Sequence, residues 1–208
     1  MSNHEEPDVI ARTWNPRHST VSLWQAVLCG QGIDVSDAAH SLPLEEWPAI
    51  TACERFDLSS ENIGHIGDTR SKECYDFIYG CRFLEKARAP ARALAQCWSL
   101  IKSRGYLGML IADEDLFEQG RWPSRFDPRH QWTFTIHKPA GEAGSWSPRS
   151  INLLQLILEN LNGFRIVLLR VDDTGYDYAI RGLDQTLPPN RAGAHIECIL
   201  QKLPSPVR

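Results

Sequence analysis

The residues of this chain best suited to proton chemistry are His130 and the acidic run Asp113, Glu114 and Asp115. An imidazole, with an ordinary pKa of about 6.5, can take a proton from a hydroxyl group at neutral pH, so His130 is a candidate general base. The acidic run directly follows an apolar segment typical of a central strand, and open α/β sheets bind ligands at the ends of such strands. Asp113 is therefore the second catalytic candidate. The alternatives are a loop histidine bonded to a backbone carbonyl and an acidic run that caps the next helix.

Aromatic residues are concentrated between positions 113 and 146, in a stretch without helical or strand periodicity. They could form the wall of a hydrophobic substrate pocket, or they could anchor a long loop onto the sheet. A tyrosine pair in the turn-rich segment near position 176 could face the same cavity or a dimer partner. The candidates for substrate contact are Trp122, Phe126, Trp132 and Tyr176.

Composition and charge restrict the classes of function. The chain has 208 residues, a net charge of -4 and a pI of about 6.0, which argues against a nucleic-acid partner found by bulk electrostatics. It has no apolar run of about 18 residues and no secretory signal, so we expect a cytoplasmic protein without a membrane partner. The six cysteines are scattered, without disulfide-framework or zinc spacing, and we expect free thiols and no metal site.

Apolar patterns predict the elements that position these residues. One helix is predicted from Ser19, a second over an apolar pattern at 94–101 that closes at Arg104, and a third from Ser147. Strands are predicted at 32–35, 49–53, 75–79, 106–111, 164–171 and 195–201. This order favours a polar arm at 1–18 and one doubly wound α/β domain at 19–208, whose sheet ends in an antiparallel edge.

Short motifs between residues 75 and 130 carry a family resemblance. Segment 75–86, YDFIYGCRFLEK, resembles the strand-four motif FDxVxxxxxLEH of class I S-adenosylmethionine (SAM) methyltransferases. Segment 100–107, LIKSRGYL, resembles their LKPGGxL turn, and IADED with WPSRFDPRH, at 111–115 and 122–130, resembles the PDE and WPSxFNxDH stretches of a bacterial-type subgroup. The resemblance spans about residues 30–202. It implies a Rossmann-like sheet that is mostly parallel with an antiparallel last strand, and helices on both faces.

The resemblance also implies where SAM would bind. Residues 33–38 match the end of strand one, where the family has an acidic residue and a Gly-x-Gly turn. Asp34 fits this pattern, but Ser36 and Ala38 replace the glycines, and each Cβ restricts the backbone and fills space that the ligand would use. Glu54 matches the acidic residue that holds the ribose, and Asn62 matches an adenine contact. The residues implied to contact SAM are Asp34, Ser36, Ala38, Glu54, Asn62 and Cys81.

Three functions are consistent with these features. The first is a SAM-dependent methyltransferase acting on a small molecule, through O-methylation of a sugar or secondary metabolite, with His130 or Asp113 as the base. The second is a methyltransferase fold that no longer uses SAM and catalyses a cyclisation or isomerisation. The third is a non-catalytic relative that pairs with an active subunit. A homodimer or a partner subunit is a further expectation.

Overall fold

A computed structural model describes residues 20–36, 38–58, 63–139 and 144–204. The described helices are α1 (Val21–Val27), α2 (Pro90–Leu100) and α3 (Leu153–Asn160). The strands are β1 (Gly30–Asp34), β2 (Ile50–Arg55), β3 (Tyr75–Cys81), β4 (Ile101–Ala112), β5 (Thr133–Thr135), β6 (Ser150–Asn152), β7 (Phe164–Asp172) and β8 (His195–Lys202). All six predicted strands are present, within a few residues of their predicted bounds. The predicted arm at 1–18 lies outside the described residues.

Six strands form the main sheet, in the order β2-β1-β3-β4-β8-β7. Neighbours from β2 to β4 are parallel, and β8 runs antiparallel to both β4 and β7. The predicted sheet, mostly parallel with an antiparallel last strand, is confirmed; that last strand, β8, lies inside the sheet and β7 forms the edge. Burial gives the reason: five consecutive residues of β8 are buried, whereas most of β7 is partly exposed.

Helices cover both faces of this sheet. On one face, α2 packs beside α3 over a large apolar core. On the other face, the single short helix α1 presents Trp24, whose ring lies directly on the backbone of Gly108. A Cβ at position 108 would lie 2.5 Å from that ring, so glycine allows the close packing of α1 on β4. The buried Glu197 of β8 accepts a hydrogen bond from the Trp24 indole at 3.1 Å and fixes this helix.

Two predicted helix boundaries were wrong. Helix α2 ends at Leu100, and Arg104 lies within β4, where its φ of 69° forms the turn-like bend that glycine occupies in the family motif. Helix α3 begins at Leu153 rather than Ser147, because Asn152 caps it by accepting the Gln155 amide at 2.9 Å. The preceding residues form β6, which pairs with β5 in a small second sheet.

The sequence predicts that Ile151, Leu154, Ile157 and Leu158 share the apolar face of this helix. In the structure the buried face is instead Leu153, Leu156 and Ile157, and Leu158 is 61% exposed. The alternative face has the same i, i+3, i+4 spacing, so periodicity in this apolar segment is consistent with both. Among the described helices, none is long and apolar enough to cross a membrane.

Candidate active site

The strand order places a ligand crevice between the ends of β1 and β3. These strands are neighbours, but the chain leaves β1 toward β2 on one side and leaves β3 toward β4 on the other. Open α/β sheets bind ligands at the carboxyl end of such a switch point. Ser36 and Cys81 lie there, as the resemblance implied. The predicted Asn62 lies outside the described residues.

Asp34 shapes the loop that follows β1. Its carboxylate is buried and accepts the backbone amides of Ser36 at 2.9 Å and Leu42 at 2.8 Å, one on each oxygen. Burial raises the pKa of Asp34, and the hydrogen bonds from Ser36 and Leu42 oppose that shift. After this loop the backbone of Ala38 begins a single 3-10 turn, Ala38–His40. The Asp34 carboxylate therefore joins the backbone at Ser36 to the backbone at Leu42.

The side chain of Ser36 bridges the ends of β1 and β3 at the switch point. Its Oγ is buried and accepts the amide of Cys81 at 2.8 Å, so one hydrogen bond joins the ends of β1 and β3. The Val35 amide donates to the Tyr79 carbonyl at 2.8 Å and continues this join. In the glycine-rich family pattern no side chain could make the Ser36 bond. The replacement of glycine by serine thus has a direct structural effect here.

Glu54 lies within β2 rather than at the crevice. Its carboxylate is 3.6 Å from the Arg70 guanidinium and contacts the Tyr75 hydroxyl, whose pKa burial raises to about 12. The chain continues past β2 with the Phe56 amide bonded to the Asp34 carbonyl at 2.9 Å. This register brings the exposed Asp57 level with the β1 loop. Sequence reasoning missed Asp57 because the position depends on strand register.

Asp113 lies at the same edge of the sheet as the crevice between β1 and β3. It follows β4, is 4% exposed, and its Oδ1 accepts the amides of Asp115 at 3.0 Å and Leu116 at 3.2 Å. Burial raises the pKa of Asp113 to about 6, and the charges of Asp115 and Glu114 add to this effect. A carboxyl group with that pKa is mostly ionised at neutral pH and still accepts protons well.

Glu114 has a structural part in the same segment. Its fully buried carboxylate accepts hydrogen bonds from the hydroxyls of Thr133, Ser145 and Ser150, at 2.7–3.0 Å. The Lys138 ammonium lies 2.8 Å from it. Glu114 therefore fastens the long segment after β4 to the end of that strand. Asp113 binds the amides of a turn, since no helix directly follows it among the described residues, whereas Glu114 is a buried acceptor for several side chains.

His130 lies in a buried polar network. Its imidazole has no exposed surface, and Nδ1 donates to Glu118 Oε1 at 2.7 Å. Nε2 is 3.8 Å from Asp127, which also binds Arg129 and Lys86. Burial works against ionisation of Asp127, but the hydrogen bonds from Arg129 and the charge of Lys86 keep its pKa well below the ordinary value. His130 thus lies between the carboxylates of Glu118 and Asp127, within the segment that follows β4.

Two cavities lie along the segment that follows Asp113. The larger, of about 340 Å³, is lined by Glu118, Gln119, Gly120, Arg121, Arg125, Phe126, Arg181 and Gly182. The smaller, of about 260 Å³, is lined by Asp115, Leu116, Gln119, Gly120, Trp146, Tyr176, Tyr178 and Arg181. Both are formed by the segment after β4 and the loop after β7. The space between the segment after β4 and the loop after β7 can therefore hold a small molecule.

The aromatic candidates divide between the cavities and the core. Phe126 lines the larger cavity and Tyr176 the smaller one. Trp132 instead anchors the loop: its indole donates to the Ala87 carbonyl at 2.9 Å and its ring packs against the core beneath α2 and α3. Trp122 is half-buried and outside both linings. Among the described residues, no group of three His, Cys, Asp or Glu side chains could hold a metal ion.

Solved structures share this sheet and this edge. A candidate methyltransferase from Bacillus halodurans C-125 matches over 89% of this chain and 99% of its own, with a TM-score of 0.55 and 11% identity. A complex between a candidate methyltransferase and a methyltransferase activator from Haloferax volcanii matches over 89% of both chains, with a TM-score of 0.52 and 9% identity. This chain has the class I methyltransferase fold. No protein-family model matches its sequence, and curated proteins give no significant match.

Within the methyltransferase fold, several residues of the site gave no signal in the sequence. Glu118 was missed as the partner of His130, and Glu85 as the fully buried carboxylate that accepts the Ala112 amide at 2.5 Å. Arg82, with a φ of 53°, stacks its guanidinium 4.0 Å from the Phe117 ring. Each of these contacts joins residues that are distant in the chain, so local patterns do not reveal them.

Proposed function

We propose that this protein is a small-molecule methyltransferase that transfers the methyl group of SAM to an oxygen atom of a sugar or secondary metabolite. The observation that carries the proposal is Asp113, a buried carboxyl group with a pKa of about 6 that lies two residues before Asp115, a residue of the smaller cavity wall. The crevice of β1 and β3 lies at the same edge of the sheet. A donor site and an acceptor site on one edge are what methyl transfer requires.

The polar groups of the crevice fit SAM after the exchange of one hydrogen bond. The amide of Cys81 suits the carboxylate of SAM, and the carboxylate of Asp57 suits its ribose hydroxyls. Ser36 must first release that amide, which rotation about χ1 achieves. Since a hydrogen bond of this kind contributes about 1 kcal/mol, the Ser36 bond weakens SAM binding by only about fivefold.

Asp113 supplies the base that removes the proton of the acceptor hydroxyl. When bound, SAM supplies an electrophilic methyl group for in-line transfer. Asp113 takes the proton of the acceptor hydroxyl on its second carboxylate oxygen, because its Oδ1 already accepts two backbone amides. His130 is buried and acts as a positioning residue that orders Glu118 and Asp127 under the loop.

Titration with SAM and with its product S-adenosylhomocysteine tests the donor site. We expect micromolar binding that becomes about fivefold tighter in Ser36→Gly, since the Cys81 amide is then free for the ligand. Asp57→Ala should weaken binding by about tenfold or more, because it removes a charged hydrogen-bond acceptor. Glu54→Ala is the matched control: its carboxylate contacts Arg70 and Tyr75, and less than about a threefold change is expected.

A second candidate function has one observation in its favour. The Ser36 bond to Cys81 occupies the crevice with protein groups. A chain that keeps this bond would work without SAM, as a cyclase or isomerase that uses the cavities beyond β4. No heat from SAM or S-adenosylhomocysteine at millimolar concentration, in both the wild type and Ser36→Gly, would support this function and reject methyl transfer. The expectation of a homodimer or partner subunit stays a prediction.

A further inference from the structure

We propose that the larger cavity binds the phosphate or carboxylate group of the acceptor molecule, and that the smaller cavity holds the ring to which this group is attached. As an assignment of the acceptor this deepens the proposed methyltransferase function and rests on it. The binding of a ring-bearing anion, in contrast, depends only on the two cavities described below.

The two cavities are neighbours that share part of their walls. Gln119, Gly120 and Arg181 line both of them. The side chain of Gln119 fixes the far wall, since its Oε1 accepts the Gly182 amide at 2.7 Å and its Nε2 donates to the Leu183 carbonyl at 2.8 Å. The loop after β7 is therefore held at a defined position opposite the segment after β4.

Three arginines give the larger cavity its charge. Arg121, Arg125 and Arg181 all line it and are all exposed, in a chain whose net charge is -4. Within the described parts of the chain, none of the three has an acidic side chain within 4 Å, and Arg125 donates only to the Gly182 carbonyl at 3.3 Å. Guanidinium groups that share a cavity without acidic partners favour an anion, and their planar donors match phosphate and carboxylate oxygens.

Glu118 does not neutralise this cluster. It is the one carboxylate in the lining, but its side chain is only 1% exposed and its Oε1 is bonded to His130. Its carboxylate is therefore buried and bonded on the side of His130. The charged groups exposed on the open side of the cavity are the three arginines.

Aromatic side chains make the smaller cavity suitable for a ring. Tyr176 and Tyr178 lie edge to face with their centroids 5.1 Å apart, and Trp146 lines the same space. Trp146 is held by its indole, which donates to Asp115 at 2.9 Å. The Tyr176 hydroxyl donates to the Leu116 carbonyl at 2.8 Å, so the ring site is joined to the segment that begins at Asp113.

Calorimetric titration without SAM tests the anion site, using phenyl phosphate, benzoate, inorganic phosphate and neutral phenol as probes. We expect one of the two aromatic anions to bind at least about tenfold more tightly than inorganic phosphate and phenol, because only these anions occupy both cavities. The stronger of phenyl phosphate and benzoate then identifies phosphate or carboxylate as the preferred group. Binding should weaken as salt is added.

The variant pair Arg121→Ala with Arg181→Ala should lower this affinity at least about tenfold, with an unchanged melting temperature because both side chains are exposed. Arg88→Ala is the control, since it removes an equally exposed arginine elsewhere. Equal binding by the double variant and the wild type overturns the proposal, as does phenol binding as tightly as the anions. Since no SAM is present, a failure of the methyltransferase function leaves this result unchanged, and a failure of anion binding leaves the SAM titration unchanged.

Discussion

Replacing Glu114 with alanine lowers the free energy of unfolding by about 3–5 kcal/mol, because a fully buried carboxylate with several donors is removed and the donors lose their acceptor. Three hydroxyl groups, of Thr133, Ser145 and Ser150, are left in the interior without this acceptor. Urea unfolding followed by circular dichroism measures the change. Hydrogen exchange should show the loss of protection concentrated in residues 133–139 and 144–152.

Asp115→Ala provides the matched control for that prediction. Asp115 is the next residue and also binds Lys138, at 2.7 Å, but its side chain is 52% exposed. Exposed ion pairs contribute about 0–1 kcal/mol, so this variant should unfold close to the wild-type urea midpoint. If both variants lost the same stability, burial would not be the cause and the role assigned to Glu114 would be wrong.

Asp113→Asn should raise the free energy of unfolding at pH 7 by about 2–3 kcal/mol, because each pKa unit corresponds to about 1.4 kcal/mol. The folded state raises the pKa of Asp113 from 3.8 to about 6. Between these values the folded chain keeps a proton that the unfolded chain releases, so wild-type stability falls as the pH rises from about 4 to about 6. Asparagine has no such charge, and its Oδ1 still accepts the amides of Asp115 and Leu116.

Melting curves at several pH values between about 4 and 8 measure this effect as a difference between variant and wild type. The difference should be near zero at the acid end, grow up to about pH 6 and then stay constant. The same variant should lose about 10²- to 10⁴-fold in the rate of methyl transfer, since it has lost the base. If Asp113→Asn is more stable and less active than the wild type, the native carboxyl group serves activity and lowers the stability of the fold.

Asp127→Asn is the control of opposite sign. The hydrogen bonds of Arg129 and the charge of Lys86 keep the pKa of Asp127 low in the folded state, so this carboxylate stabilises the fold above its ordinary pKa. Its loss should lower stability at pH 7, and the deficit should shrink as the pH falls below about 4. An Asp113→Asn variant that behaved like Asp127→Asn would contradict the assignment of Asp113 as a strained, buried base.

Much of the fold could be predicted from local patterns. The apolar runs marked all six strands of the main sheet, and the spacing of Leu94, Cys97 and Trp98 marked α2, because a buried face imposes its period on the chain. The irregular stretch after Asp113 was also expected, although β5 and β6 within it were not. The short motifs between residues 75 and 130 indicated the methyltransferase fold, which the comparison with solved structures confirms.

Less of the candidate active site than of the fold could be predicted from local sequence patterns. The acidic position of Asp34 and the placement of Asp113 at the edge of the sheet follow from the ends of strands, which the sequence shows. The sequence does not show that Glu54 contacts Arg70 and Tyr75, because strand register decides where a side chain at the end of β2 lies. His130 illustrates the same limit, since its burial depends on how the loop folds.

The sequence by itself therefore determined the elements, the replacement of two glycines by Ser36 and Ala38, and the acidic and aromatic character of the segment after β4. Only the tertiary structure decided that β8 lies inside the sheet, that Ser36 reaches Cys81 across 45 positions, and that Arg121 and Arg181 line one cavity. The physical reason is the range of the forces involved. Periodicity reports the burial of neighbours in the chain, whereas pairing order, hydrogen-bond partners and cavity walls depend on residues that meet only after the chain has folded.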